Sequence, residues 1–253
     1  MNGDAAGRPS PAREVTGRYF SAGYIAAATA ATFAGAYGPK KVAALTKPLP
    51  LALLGVQAGR QWQRRPGVDS ALLLGALGFS AAGDRAMFLE EFSPTTADDA
   101  RRRAPRTVPL TPKDRRLAWG ATLFSGAQLC YSTALWRRGA RPHVASLLPR
   151  LAVLAESAGV IAFHRPRLLS VLGPYGNTLA TMSALAADDP QHWKRLRLGG
   201  ILFLASDLTI LNRRHLLTNP RLRQLAEVWV LASYFAAQAL LVNGLLDQQH
   251  SEG

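Results

Sequence analysis

Asp84 and Asp207 are acidic residues that stand inside long apolar stretches of the chain, each beyond the middle of its stretch. An ionisable side chain near the centre of a bilayer costs about 2.5–3.5 kcal/mol on insertion scales, so residues kept there usually serve a function. The two stretches are the third and the seventh along the chain and run in the same direction, which predicts that both carboxyl groups lie at similar depth. Two carboxyl groups in a water-poor site can share one proton and act as general acid and general base.

Further polar side chains occur in the apolar stretches, at depths that would bring them near the aspartates. A lone Gln or Tyr in a membrane helix more often links helices by hydrogen bonds than takes part in catalysis. A structural cluster in which Lys47 pairs with the aspartates is the competing interpretation of these residues. Glu156 enters the same half of the membrane and could equally face a headgroup. The candidates for a substrate-binding or supporting role are Lys47, Gln128, Tyr131, Tyr175, Tyr234 and Gln238.

Other kinds of catalytic site find no support in the sequence. The five histidines fall at the ends of apolar stretches or between them, which argues against a His-ligated zinc site inside a membrane. The single cysteine, Cys130, excludes an intramolecular disulfide and a thiolate metal cluster. Neither a Gly-x-Ser-x-Gly elbow nor a phosphate-binding glycine loop is present. We therefore expect no metal and no cofactor.

The apolar stretches that carry these residues predict a membrane protein. The formal net charge of +14 would suggest nucleic-acid binding if the basic residues followed a soluble surface. They form short clusters between Ala/Leu/Val-rich stretches instead, which is typical of loops that meet lipid headgroups and gives no reason to expect a nucleic-acid partner.

A helix needs about 20 mainly apolar residues to cross the hydrocarbon core. The stretches close to that length are 16–37, 42–59, 68–90, 117–135, 144–163, 168–187, 195–213 and 224–246.

The predicted fold is an all-α, multi-pass bundle of about eight transmembrane helices in the cell membrane. Residues 1–15 are expected to form a disordered tail, 16–246 the transmembrane domain with a long basic loop at 91–116, and 247–253 a C-terminal tail. A weak repeat suggests two four-helix halves in parallel orientation. The repeat pairs Gly83-Asp84 with Ser206-Asp207. It also pairs the Phe124-x-x-Ala127-Gln128 that follows with the Tyr234-x-x-Ala237-Gln238 that follows.

Several motifs, taken in order, give the chain a resemblance to a known family. They are Lys47-Pro48-Leu-Pro, Gly78-Phe-Ser-Ala-Ala-Gly83-Asp84, Phe124-x-x-x-Gln128-x-x-Tyr131, Tyr175 with Met182, Gly200-Ile-Leu-Phe-Leu-Ala-Ser206-Asp207, and Tyr234-Phe-Ala-Ala-Gln238. With these residues the chain resembles the YhhN-like family of multi-pass membrane proteins, whose animal members are lysoplasmalogenases. The resemblance extends over roughly residues 40–246.

This resemblance implies hydrolysis of the vinyl-ether bond of a lysoplasmalogen or related lysolipid, with a membrane lipid as substrate and Asp84 and Asp207 as the catalytic pair. Arginines between the stretches, such as Arg213 and Arg214, would hold the lipid phosphate. One position departs from the family pattern, because Gln128 stands where the family usually has His and an amide does not carry a proton as an imidazole does. The alternative function is lipid binding or transport by the same polar cluster, without catalysis.

Overall fold

The computed structural model describes the backbone of residues 11–93, 109–190, 194–215 and 217–248, and the side chains of 20–93, 109–163, 165–190, 194–210 and 217–247. These residues form helices and no strands, which confirms the all-α prediction. A 3-10 turn, Pro166–Leu168, precedes α7. The helices are α1 Pro11–Tyr37, α2 Lys40–Thr46, α3 Leu49–Arg64, α4 Val68–Glu91, α5 Pro112–Arg137, α6 Val144–His164, α7 Leu169–Ala187, α8 Lys194–His215 and α9 Pro220–Gln248.

The predicted apolar stretches correspond in order to these helices, with the second stretch divided between α2 and α3. Parts of the predicted connecting and terminal segments lie outside the described residues, namely 1–10 of the tail, 94–108 of the long loop and 249–253 at the C-terminus. The helices extend into the rest of these segments, since α1 begins at Pro11 and α9 continues to Gln248.

The division between α2 and α3 follows from two prolines. Lys47 N–H still donates to the Ala43 carbonyl at 3.0 Å, but Pro48 has no N–H with which to continue the series. Pro50 lies in the first turn of α3, where a backbone N–H group would have no hydrogen-bond acceptor within the helix. A proline at this position therefore removes no helical hydrogen bond. The break leaves Lys47 at a joint between two short helices, from which its side chain points into the bundle.

A buried ion cluster joins the start of α5 to the turn between α6 and α7. Thr111 caps α5 by accepting a hydrogen bond from Asp114 N–H at 3.1 Å. The Asp114 carboxylate in turn binds Arg165 at 3.2 Å and Arg167 at 3.1 Å, and all three side chains are buried. Removing one partner of a buried ion pair costs more than the pair itself contributes, so the cluster fixes this end of the bundle.

Helix packing makes one continuous bundle. Helix α4 packs chiefly against α5, and α8 packs against α9. Helix α9 also contacts α1 and α3, so the two predicted four-helix halves share a common core. Gly200 lets α8 approach α7 closely, because a Cβ at this position would lie 3.1 Å from the Ser183 Cα. The core at these junctions contains fully buried aromatic side chains, including Tyr131 and Phe203.

Helix α1 supports the core from the N-terminal side. The Tyr24 hydroxyl donates to the Phe235 carbonyl of α9 at 2.7 Å. Gly35 leaves room for two side chains from other helices, since a Cβ there would lie 2.5 Å from Leu231 Cδ1 and 3.0 Å from Lys47 Cε. The position of Lys47 therefore depends on a glycine in α1.

Among the described residues, four helical segments are long and apolar enough to cross a membrane, by length and composition: Lys40–Arg64, Val68–Glu91, Val144–Phe163 and Pro220–Asp247. The third of these, in α6, is the least enclosed, with 11% of its most apolar window buried within the bundle. Large apolar side chains such as Val144, Leu148 and Phe163 are exposed on α6. An apolar exterior of this kind is expected where a protein surface meets lipid.

Candidate functional site

Asp84 of α4 and Asp207 of α8 line the same cavity, whose volume is about 470 Å³. The cavity is bounded by α4 to α9 and by the Lys47 side chain, and most of the side chains on its wall are apolar. The charge of Asp84 interacts electrostatically with both Lys47 and Asp207. Two carboxyl groups that are far apart in the sequence thus face one apolar space.

Each aspartate accepts a hydrogen bond from a tyrosine on another helix. The Tyr234 hydroxyl of α9 donates to Asp84 Oδ2 at 3.0 Å. The Tyr175 hydroxyl of α7 donates to Asp207 Oδ2. Such a donor fixes the rotamer of the carboxyl group and leaves its second oxygen available to the cavity. Both tyrosines also line the cavity.

Gln238 belongs to a buried network behind Tyr234. The Tyr131 hydroxyl donates to Gln238 Oε1 at 2.6 Å, and Gln238 Nε2 donates to Ser80 Oγ at 3.0 Å. Gln238, Tyr131 and Ser80 are all fully buried, and none of them lies on the cavity wall. Their role is therefore to hold α4, α5 and α9 together behind the cavity wall.

Gln128 occupies a similar place behind Tyr175. The Thr178 hydroxyl donates to Gln128 Oε1 at 2.5 Å, and Gln128 is fully buried. Gln128 Nε2 makes no hydrogen bond among the described residues, although the amide lies beside Tyr175. The site thus has two similar halves, Asp84 with Tyr234 and Gln238, and Asp207 with Tyr175 and Gln128. Both amide atoms of Gln238 form hydrogen bonds, whereas among the described residues only the oxygen of the Gln128 amide does so.

Sequence reasoning missed Ser80 and Thr178. Ser80 lies one turn before Asp84 on α4, and Thr178 lies one turn after Tyr175 on α7. A hydroxyl one helical turn from a candidate residue lies on the same face of the helix, and this spacing could have identified both. Hydroxyl groups are common in membrane helices as backbone hydrogen-bond donors, so the spacing alone would have been a weak signal.

Lys47 has an ion-pair partner that the sequence analysis did not name. Its Nζ lies 3.7 Å from Glu227 Oε1 of α9, with the two side chains 17% and 9% exposed. Lys47 Nζ also lies 5.8 Å from the centre of the Phe88 ring. Lys47 and Glu227 both line the cavity, so the pair is part of the site. The direct partner of Lys47 is this glutamate, whereas the competing structural interpretation paired it with the aspartates.

Other candidates do not join the site. Glu156 is exposed on α6 and is not part of the cavity wall. The side chains of Arg213 and Arg214 lie outside the described ones. Within the described part of the chain, no three His, Cys, Asp or Glu side chains are grouped to hold a metal ion. The polar groups available on the cavity wall are carboxyl, phenol, amine, amide and hydroxyl groups.

Replacing Gln238 with leucine is expected to destabilise the protein by about 1–3 kcal/mol, because the Tyr131 hydroxyl and the Ser80 hydroxyl both lose a buried partner. Thermal unfolding of the purified protein in detergent measures this change. Gln63→Leu, an exposed position near the end of α3, is the matched control and should leave the midpoint almost unchanged. Equal midpoints for wild type and Gln238→Leu would contradict a structural role for the network.

The comparison with protein families agrees with the motif pattern. A model of the YhhN family matches residues 42–245, a region that contains every residue of the site described above. No curated protein and no solved structure matches the chain. The family match covers most of the chain and extends from α2 to α9, and so confirms the expected resemblance. The chain belongs to the YhhN family.

Proposed function

We propose that this protein is a membrane-embedded hydrolase that cleaves the vinyl-ether bond of a lysoplasmalogen or a related lysolipid. The products are a fatty aldehyde and a glycerophospho-base. The observation that carries the proposal is the presence of Asp84 and Asp207 on the wall of one apolar cavity, each with a tyrosine donor. Family membership is consistent with this activity and does not by itself specify it.

Vinyl-ether hydrolysis suits a pair of carboxyl groups. One carboxylic acid gives its proton to the alkene carbon next to the hydrocarbon chain, and the positive charge that develops is shared with the ether oxygen. Water attacks the resulting oxocarbenium carbon and loses a proton to the second, ionised carboxylate. The hemiacetal hydroxyl then gives its proton to the first aspartate, which is now a carboxylate, while the carbon–oxygen bond to glycerol breaks and the glycerol oxygen takes the proton held by the second carboxyl group. General acid and general base catalysis together account for the roles of both aspartates.

The apolar wall of the cavity suits the hydrocarbon chain of such a substrate. Leu151, Leu154, Ala158 and Ile161 of α6 line one side of it, while the opposite face of that helix is exposed. A lysolipid lying in the bilayer would therefore reach the aspartates from the side, with its chain against α6. Because the chain would pass from the apolar bilayer to an apolar cavity wall, its binding would depend on how well it packs in the cavity and not on transfer out of water.

We infer that the eight long helices all cross the cell membrane. Four segments meet the length and hydropathy requirement on their own, and the remaining helices pack side by side with them in the same bundle. Several of those remaining helices carry the polar groups of the site, which lowers their hydropathy. A multi-pass protein of this kind would draw its substrate from the surrounding lipid.

The test is mass spectrometry of the products formed by purified protein from a panel of lysolipids with and without a vinyl ether. We expect fatty aldehyde and glycerophospho-base from the vinyl-ether lipids alone. Release of a fatty acid from ester lysolipids would instead indicate a lysophospholipase. Tight lipid binding without any product, or uptake of a solute into proteoliposomes, would favour the binding or transport alternative.

A further inference from the structure

The cavity is not equally deep on all of its walls. Its outer end lies at the end of the bundle where α4 ends and α9 begins. On α4 the innermost wall residue is Asp84. On α8 and α9 the innermost wall residues are Ser206, next to Asp207, and Phe235, next to Tyr234. On these three helices the wall therefore ends at the carboxyl groups and at the tyrosine that donates to one of them.

The walls of α6 and α7 continue past the aspartates. Tyr175, the donor to one of them, is followed on the wall of α7 by residues as far as Leu179, about 6 Å further along the helix. The wall of α6 follows with Leu154, which lies beside Gly176, and with Leu151 one turn further. We call this part of the cavity, formed by Leu151, Leu154, Gly176 and Leu179, the inner extension. It is less than half as deep as one leaflet of hydrocarbon, which measures about 15 Å.

A lysolipid has one favourable direction in this cavity. The charged side chains of Lys47, Glu91 and Glu227 lie on the outer side of the aspartates, and Glu227 is about 10 Å from Tyr234 along α9. With its vinyl ether at the aspartates, the lipid has its glycerol and phosphate toward these groups and its hydrocarbon chain in the inner extension. A depth of about 6 Å encloses only the first few carbons of the chain. The rest of a long chain must therefore leave the cavity.

The wall of the inner extension is open beside α6 and α7. Ala155 of α6 and Asn177 of α7 line the cavity, and both residues are also exposed. Ala155 lies near the middle of α6, so in a bilayer this opening faces the hydrocarbon region. Val153, two residues before Ala155, is exposed and apolar as well. A chain that leaves the cavity here enters lipid and not water.

We propose that the cavity holds only the first few carbons of the hydrocarbon chain and that the remainder passes out beside Ala155 and Asn177 into the bilayer, so that the protein does not discriminate between long chains of different length. A methylene group that lies in lipid both before and after binding contributes nothing to the affinity. The cavity therefore selects for the groups around the ether linkage. This inference rests on the proposed function for its choice of lysolipids, but it concerns binding and not bond cleavage.

The first experiment measures the binding of saturated 1-O-alkyl-glycerophosphocholines, which have no alkene to protonate and stay intact. Their chains have twelve, sixteen or twenty carbons, and the protein is embedded in lipid nanodiscs. We expect dissociation constants, expressed as mole fractions in the bilayer, to agree within about twofold, because the added carbons stay in lipid. A closed cavity would instead reject chains longer than its own depth. A loss of affinity of about tenfold or more between the twelve-carbon and twenty-carbon lipids would overturn the inference.

The second experiment obstructs the opening with Ala155→Trp. We expect affinity for the sixteen-carbon lipid to fall at least about tenfold relative to wild type, and affinity for a four-carbon lipid of the same kind to fall much less, because the short chain ends inside the cavity. Each lipid is compared only with itself, so differences in partitioning between water and bilayer cancel. Equal losses for the two lipids, or no loss for either, would contradict a path beside Ala155.

Ala152→Trp is the matched control for the obstructed opening. Ala152 is one turn before Ala155 on α6, is exposed, and is not part of the cavity wall. The same substitution there should leave the binding of both lipids near its wild-type value. The series of chain lengths in wild type tests the inference independently of whether the variants fold. Failure of the proposed function would give a different result, namely no aldehyde from vinyl-ether lipids of any length while the binding pattern of the saturated lipids remains.

Discussion

Asp84→Asn and Asp207→Asn are each expected to lower the rate of aldehyde release from a vinyl-ether lysolipid by about 100- to 10,000-fold. An amide has nearly the shape of the carboxyl group and can still accept the tyrosine hydrogen bond, so the bundle should remain folded. It can neither give a proton to the alkene carbon nor take one from water. The measurement is the initial rate of aldehyde formation by protein with a wild-type thermal unfolding midpoint.

The matched control for these variants is Asp69→Asn. Asp69 lies at the opposite end of α4 from Asp84, where its carboxylate pairs with Arg137 at 2.8 Å and is partly exposed. This substitution should change the rate less than about twofold, because exposed ion pairs contribute little and the residue is remote from the cavity. Full activity in either Asp84→Asn or Asp207→Asn would remove the carboxyl pair from the mechanism.

A second large effect is expected when the cavity is filled without touching its polar groups. Ala158 of α6 lines the cavity, and Ala158→Trp would place an indole ring in the space assigned to the hydrocarbon chain. We expect affinity for lysolipids and aldehyde release both to fall by at least about 100-fold, because a preformed pocket loses the volume that buries the ligand. Lipid binding and initial rates measured on the same preparation test this.

Ala162→Trp serves as the control for this substitution. Ala162 is one turn further along α6, is exposed, and is not part of the cavity wall. The same gain in volume at this position should leave binding and rate near their wild-type values, because the ring would lie on the apolar exterior. Equal losses in the two variants would indicate that α6 is merely disturbed. Unchanged binding in Ala158→Trp would mean that the substrate chain lies elsewhere.

The helices could be predicted from the sequence because length and apolar content decide where a chain can cross a bilayer. Pro48 and Pro50 lie inside the second stretch, and the structure divides that stretch between α2 and α3 there. The neighbours of each helix could not be predicted. They depend on close approaches such as Gly200 to Ser183 and on buried side chains of complementary shape, which leave no regular pattern in one sequence.

The site was partly predictable for a physical reason. Charged residues such as Asp84 and Asp207 are rare inside apolar stretches, so they stand out before any packing is known. Glu227 was harder to recognise, because it lies near the start of α9 where a charged residue is ordinarily explained by contact with headgroups. Its pairing with Lys47 joins residues separated by most of the chain, and such a pairing follows only from the three-dimensional arrangement.

The contribution of α1 sets a limit on how this protein can be shortened. The family match begins at residue 42, after α1 has ended, yet Tyr24 is bonded to the backbone beside Tyr234 and Gly35 makes room for Lys47. A truncated version made of the matched region alone would retain every polar group of the cavity. It would expose the side of α9 that α1 covers and release the lysine from its confined position, so we expect the matched region to be less stable without α1.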